Sequence, residues 1–95
     1  MDFKIAGNAM SRLVYSIAGE KYKDFVTIGL NWKRIVGKYL SKYSKVVKFE
    51  KGVLFVGVSN NVWMQELFLR KKDIMQKIQS RLDIPIKDIV YYLRT

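Results

Sequence analysis

Apolar residues follow helical spacing through the first half of the chain. One run with four-residue steps predicts a short helix over Phe3 to Ala18, and a second run with steps of three and four predicts an amphipathic helix from about Tyr22 to Tyr43. Gly29 and Gly37 lie inside the second pattern, and each costs ~1 kcal/mol relative to alanine. We expect a neighbouring element to cross over Gly37, where a Cβ would hold the two backbones apart.

Alternation of apolar and polar residues replaces the helical spacing after Lys45. Two alternating runs, separated by a turn at Glu50 to Gly52, predict a β-hairpin. Further along the chain, β-branched and aromatic residues predict a third strand over Ile86 to Leu93. This strand should join the hairpin, because a two-stranded ribbon alone is marginally stable in water.

A long helix is predicted between the hairpin and the third strand. Asn60 or Asn61 can cap its first free amides, and its apolar face extends to about Leu82. Pro85 ends it, since proline disfavours helical geometry in the residue before it. The elements predict one α+β domain over residues 1–95, in the order α-α-β-β-α-β, with the helices packed on a three-stranded sheet.

Composition supports a folded chain with one core. Of the 95 residues, 49% are hydrophobic and 14% are aromatic, which lets a small domain bury enough surface to offset the entropy of ordering. The chain has no apolar run of the ~20 residues that cross a bilayer, and its first residues do not resemble a signal peptide. We therefore expect a cytoplasmic protein, able to associate with the nucleoid and without a membrane partner.

The missing residue types exclude most enzyme chemistry. The chain has no cysteine and no histidine, which removes thiolate and imidazole catalysis and ordinary zinc ligation. It also has neither a glycine-rich phosphate loop nor an evident pair of carboxylates. We predict a protein that is not an enzyme, with no catalytic residues, no metal, no cofactor and no small-molecule substrate.

Net charge points to an anionic partner. Eighteen lysines and arginines against eight acidic residues give a charge of +10, a field that attracts nucleic acid, an anionic membrane or an acidic protein. The predicted nucleic-acid-binding residues form two groups. The group on the second helix and the hairpin comprises Arg34, Lys38, Lys42, Lys45 and Lys48. The group on the long helix comprises Arg70, Lys71, Lys72, Lys77 and Arg81.

Spacing suggests how these cations are arranged. Arg34, Lys38 and Lys42 recur every four residues, so we expect them to form one stripe on the second helix. The cations of the long helix have little acid nearby in the sequence to relieve their repulsion, which favours a surface that binds an anionic polymer. The alternative interpretation of both groups is a solvated helix face.

Aromatic residues could also contact bases by stacking. Trp32 and Trp63 fall on the apolar stripes of their helices, and we predict that both are buried in the core. Better stacking candidates are Tyr39, Tyr43 and whichever of the adjacent Tyr91 and Tyr92 points outward from its strand.

Three motifs, in this order, resemble the DciA-type bacterial replicative-helicase loaders. They are Trp32-Lys-Arg-Ile-Val36-Gly37, the hairpin run Gly52-Val-Leu-Phe-Val-Gly-Val58, and Trp63-Met-Gln-Glu66-Leu67. The resemblance extends over residues 25–93, and the combination is more specific than any motif alone.

The resemblance implies a fold similar to a type II KH domain. It also implies an accessory that binds the replicative helicase and assists its loading on single-stranded or forked DNA. The chain departs from these patterns at two points. It has no GxxG loop, the backbone clamp of KH modules, so a grip on nucleic acid must depend on charge. Tyr43 stands where the family often has histidine.

Two other functions fit the same sequence features. One is a KH-like RNA-binding protein that acts on ribosomal or structured RNA, and the other is a structural subunit whose basic face neutralises an acidic partner. For a helicase accessory, we expect the helicase contact around the exposed face of the hairpin and the N-terminal helix, largely separate from the phosphate-binding lysines.

Overall fold

The structure is a computed structural model that describes residues 20–94. The elements in this range are α1 (Glu20–Val36), α2 (Lys38–Lys42), β1 (Ser44–Glu50), β2 (Val53–Val58), α3 (Asn61–Leu69), α4 (Lys71–Leu82) and β3 (Asp88–Leu93). The helix predicted over Phe3 to Ala18 lies outside the described residues. Within those residues, no helix is long and apolar enough to cross a membrane.

The strands form one three-stranded sheet in the order β1-β2-β3. β1 pairs with β2 antiparallel, and β3 pairs with β2 parallel. The hairpin turn at Lys51 and Gly52 has positive φ at both residues, the geometry that matches the twist of the flanking strands. The predicted α+β class, the α-α-β-β-α-β order and the joining of the third strand to the hairpin are confirmed.

Both long predicted helices are interrupted by one residue. The second helix breaks at Gly37 between α1 and α2, and the long helix breaks at Arg70 between α3 and α4. At the second break the Arg70 amide is shared between the carbonyls of Glu66 and Leu67, at 3.3 and 3.2 Å. The side-chain oxygen of Asn60 caps α3 by accepting from the Trp63 amide at 3.1 Å, as predicted.

The predicted close approach at Gly37 is wrong. No atom lies within 4 Å of the position that a Cβ would take there. Gly37 instead has φ 94° and ψ 166°, a conformation essentially restricted to glycine, and it turns the chain between α1 and α2. At Gly29, a Cβ would lie 3.4 Å from Val46 on β1, which is ordinary van der Waals contact.

The core lies between one face of the sheet and the helices. Its fully buried side chains come from the sheet, from α1 and from the third and fourth helices: Ile28, Leu54, Val56, Val58, Leu67, Ile74, Ile78 and Ile89. Trp32 is buried among them as predicted, at 5% exposure. Trp63 is only partly buried, so the prediction that it is a core residue is wrong; it packs against the edge of the core.

Strand alternation exposes the opposite face of the sheet. Because Leu54, Val56 and Val58 point into the core, Phe55 and Gly57 point outward. The same alternation and the strand register place on this side the residues that we call the open face: Lys45, Lys48, Phe55, Gly57, Val90 and Tyr92.

Candidate nucleic-acid interface

A buried hydrogen-bonded serine fixes the start of β1. Ser44 accepts a hydrogen bond from the indole nitrogen of Trp32 at 2.9 Å, and its hydroxyl donates to the carbonyl of Leu40. The serine thus ties the end of α2 and the first residue of β1 to the core. Lys42 and Lys45 flank this anchor and are both exposed.

Three cations meet at the end of the sheet where β1 begins and β3 ends. They line a recess of about 510 Å³ whose walls are Ser41, Lys42, Tyr43, Ser44, Lys45, Gly57, Ser59 and Arg94; we call it the basic recess. Two of its cations, Lys42 and Lys45, were predicted to bind nucleic acid. Neither they nor Arg94 has an acidic partner among the described residues.

Arg94 is a site residue that the sequence prediction missed. Its backbone amide donates to the Val58 carbonyl at 2.8 Å, which extends the β2–β3 ladder by one residue. Its methylene groups lie across Gly57, where an added Cβ would overlap them. The signal in the sequence was strand alternation, because Arg94 follows Tyr92 by two residues and therefore points to the same side of the sheet.

The cluster predicted on the long helix is largely neutralised. Arg70 pairs with Glu66 at 2.7 Å, Lys77 pairs with Asp73 at 3.2 Å, and Lys71 pairs with Asp88. The prediction that little acid relieves this cluster is therefore wrong. Glu66 and Asp73 each lie four residues before their partners in the sequence. The third acid, Asp88, belongs to β3.

Two of these lysines also have structural contacts. The hydrogen bond from Lys71 and the bond from the Ile89 amide lower the pKa of Asp88, so this carboxylate keeps its charge. The ammonium group of Lys77 lies 3.5 Å from the Ile35 carbonyl near the end of α1, where a cation stabilises the helix dipole. From this cluster, Lys72 and Arg81 are exposed and have no acidic partner in the described residues.

The predicted stripe of Arg34, Lys38 and Lys42 is broken. Gly37 separates α1 from α2, so helical spacing no longer relates Arg34 to the other two cations. All three are exposed, but Lys42 lines the basic recess whereas Lys38 does not. The physical reason is the turn at Gly37, which changes the direction of the chain.

Lys48 lies on the open face beside an aromatic ring. Its ammonium group is 4.6 Å from the centroid of the Phe55 ring and 3.5 Å from a carboxylate oxygen of Glu50. Both charged side chains are more than half exposed, so this ion pair contributes little to stability.

The candidate stacking residues occupy different environments. Tyr43 is stacked on Trp63, with ring centroids 4.7 Å apart and planes 5° from parallel, so one face of its ring is already covered. Tyr39 is 69% exposed. Of the adjacent tyrosines, Tyr91 is buried and Tyr92 is 38% exposed on the open face, which fits the prediction that one of them points outward.

A second depression lies between α2 and α3. It has a volume of about 400 Å³ and is lined by Val36, Gly37, Lys38, Tyr39, Leu40, Val62, Trp63, Glu66 and Arg70; we call it the apolar groove. Two of the predicted site residues, Lys38 and Arg70, are therefore brought together here and not at the basic recess. No group of acidic residues that could hold a metal ion occurs in residues 20–94.

The fold and its exposed cations define a small basic α+β domain. Residues 6–91 match the family described as Dna[CI] antecedent, DciA, and the chain belongs to this family. The resemblance carried by the three sequence motifs is thus confirmed. The family provides helicase loaders in bacterial DNA replication. No curated protein matches the chain.

Proposed function

We propose that this protein is a non-enzymatic accessory that holds single-stranded DNA at the basic recess while another surface contacts the replicative helicase. The observation that carries the proposal is that the basic recess and the apolar groove share no lining residue. A loader must hold both ligands at once, and two separate surfaces permit this.

The basic recess is suited to phosphate. Lys42, Lys45 and Arg94 supply positive charge that is not neutralised by acids of the described chain, and Ser59 adds a hydroxyl group of the kind that contacts phosphate oxygens. Contacts of this type carry little sequence information, so we expect binding without base specificity.

The apolar groove is the better candidate for the helicase contact. Tyr39 and Val62 on its rim are 69% and 74% exposed, and large exposed apolar side chains that share one groove are typical of protein-binding surfaces. The open face of the hairpin, where we expected the contact, carries Lys45 and Lys48. We therefore assign the groove to the helicase and the cation-rich side to DNA.

A pair of matched substitutions tests the helicase contact. Val62→Asp places a carboxylate in the first turn of α3, where the helix dipole favours it, so the fold should be retained. Leu30→Asp is the control, because Leu30 is 81% exposed on α1 and does not line the groove. The assay measures how much helicase from the same organism remains on single-stranded DNA with each variant.

We expect Val62→Asp to abolish helicase association and retention, and Leu30→Asp to behave as the unmodified protein. Without a phosphate loop the protein should hydrolyse no ATP alone, so its effect must come from differential binding to states of the helicase. If the unmodified protein neither binds the helicase nor changes its retention, the loader function is wrong. A preference for structured RNA over DNA in the same binding assay would then favour the RNA-binding alternative.

A further inference from the structure

Two aromatic side chains are neighbours on the open face: Phe55, which is partly buried, and Tyr92, which is 38% exposed. In the parallel pairing of β2 with β3, Phe55 is opposite Val90 and Gly57 is opposite Tyr92. Phe55 and Tyr92 are therefore diagonal neighbours on adjacent strands and point to the same side. Gly57 adjoins both residues and has no side chain of its own, and the Arg94 methylenes lie over it.

Cations border this aromatic pair. Lys45 and Lys48 lie on β1, opposite Gly57 and Phe55, and the side chain of Arg94 crosses the sheet at Gly57. Acidic charge on this side is limited, since Glu50 is paired with Lys48 and Asp88 with Lys71. The face thus combines flat apolar rings with an excess of positive charge.

This combination distinguishes nucleic acid from a protein as the occupant. Every base has a flat face that can stack on an aromatic ring, and the phosphates between bases require nearby cations. Aromatic residues on a sheet, ringed by basic residues, meet both requirements for an unpaired strand. A hydrophobic protein surface would instead leave the lysines and Arg94 without counterions.

Lys48 does not prevent a base from reaching Phe55. Its ammonium group is 4.6 Å from the ring centroid, and an exposed cation–π contact of this kind is worth roughly 0.5–1 kcal/mol. A stacked base contributes ~1–3 kcal/mol, and the displaced ammonium can pair with a phosphate of the same strand. The exchange therefore favours the base.

We propose that the open face is a stacking platform on which Phe55 and Tyr92 hold two bases of a single strand whose phosphates enter the basic recess. This inference rests on the proposed function and deepens it, because it assigns bases to the sheet and phosphates to the recess. The recess and the face are continuous, since Lys45 and Gly57 belong to both and the Arg94 side chain of the recess lies over Gly57.

The test compares two probes that carry the same phosphates. One is a short oligothymidylate, and the other is an abasic strand of equal length. The unmodified protein should bind the oligothymidylate more tightly than the abasic strand, and Tyr92→Ala should weaken oligothymidylate binding by roughly 5- to 150-fold, the range expected from one lost stack. Tyr92→Ala should leave abasic binding unchanged.

Three controls accompany Tyr92→Ala. Tyr92→Phe keeps the ring and should retain binding, whereas Tyr92→Leu keeps apolar bulk without a ring and should not. Phe68→Ala removes an aromatic side chain that is 51% exposed on α3 and lines neither the recess nor the groove, and it should not affect either probe. Thermal unfolding of each variant establishes that the fold is retained.

Each outcome decides between the surfaces. Equal affinity of the unmodified protein for both probes, or unchanged binding in Tyr92→Ala, overturns the stacking platform while leaving the phosphate-binding recess intact. If Tyr92→Ala instead loses helicase association in the absence of DNA, the open face belongs to the protein partner and the platform is again wrong. If the unmodified protein binds neither DNA probe, the proposed function itself is wrong.

Discussion

At the scale of single residues, the contact between Trp32 and Ser44 determines where the basic recess forms. Ser44→Ala would leave the buried indole N–H without its acceptor, at a cost of about 1–3 kcal/mol in the free energy of unfolding. Urea denaturation measures this change. Ser41→Ala is the matched control, since the Ser41 hydroxyl bonds to the Lys38 carbonyl at the surface and its loss should cost much less. Equal effects of the two substitutions would contradict the anchoring role.

Tyr91 provides a pH-dependent prediction. Burial, with a smaller contribution from the Asp88 charge, raises the pKa of its hydroxyl, and this hydroxyl has no hydrogen-bond partner in the described residues. A group whose pKa is raised on folding stabilises the fold below its unfolded pKa of about 10, and this contribution is lost as the pH rises above that value. The free energy of unfolding should therefore fall in alkali.

Tyr91→Phe removes both the titration and the unpaired hydroxyl. We expect the variant to be as stable as the unmodified protein at neutral pH or more stable by about 1 kcal/mol, because no hydrogen bond is lost. Denaturation curves at neutral pH and near pH 10.5 should show a smaller alkaline loss in Tyr91→Phe. An identical alkaline loss in both proteins would mean that another group is responsible.

The two tryptophans show what sequence could and could not predict for a single residue. Both lie on apolar stripes, and for Trp32 the stripe faces the sheet, so the prediction of burial is right. Trp63 is the third residue of α3, where it packs against the core only in part and its ring stacks on Tyr43. The contact partner of an aromatic ring at a helix end depends on the path of the preceding loop, which spacing does not encode.

At the scale of elements, Gly37 explains why one predicted helix is two. Because nothing surrounds the missing Cβ, Gly37→Ala should destabilise the protein only through its backbone conformation, by about 1–3 kcal/mol. Gly29→Ala makes the same change inside α1 in ordinary contact with Val46, and it should stabilise by up to ~1 kcal/mol through helix propensity. Thermal unfolding should therefore move in opposite directions. If only Gly29→Ala lost stability, the packing against Val46 and not the backbone conformation of Gly37 would be what requires glycine.

Elements with a strong period were predictable, and their interruptions were not. The hairpin, its turn and the third strand follow from alternation and turn residues, and the end of α4 follows from Pro85. The breaks at Gly37 and Arg70 leave the apolar period of the helices unchanged and so are not visible in it, and the cation stripe inferred from an unbroken helix fails. The predicted third strand ended at Leu93. Had it been continued by one residue, alternation would have placed Arg94 on the same side of the sheet as Tyr92.

Gly57 tests whether the placement of Arg94 matters. In Gly57→Ala the new methyl group would overlap the Arg94 methylenes, and the flexible side chain should move away at little cost to the fold. We expect weaker binding of single-stranded DNA with net charge and stability maintained. Arg94→Ser should weaken binding to a similar extent, and the double variant should add little to either, which a double-mutant cycle measures. Additive losses would show that Gly57 and Arg94 act independently.

At the scale of the whole molecule, the net charge of +10 predicts a polyanionic partner but not its site. Pairing decides which cations remain available, and it depends on the fold. Lys71 and Asp88 are 17 positions apart and meet only because β3 returns beside the start of α4. The sequence prediction therefore overestimated the number of unpaired cations on the long helix, and it could not identify the basic recess.

The location of free charge gives the final prediction. Replacing Lys42, Lys45 and Arg94 by serine lowers the net charge from +10 to +7, and so does replacing the exposed Arg34, Lys72 and Arg81, so the two triple variants have the same overall charge. If phosphates bind at the basic recess, only the first variant should lose contacts. The logarithm of single-strand affinity should then fall less steeply with the logarithm of salt concentration, with a slope reduced by about 2, or roughly 0.7 for each lost phosphate. The second variant should keep the original slope, and equal changes in both would mean that DNA responds to the net charge of the molecule and not to the recess.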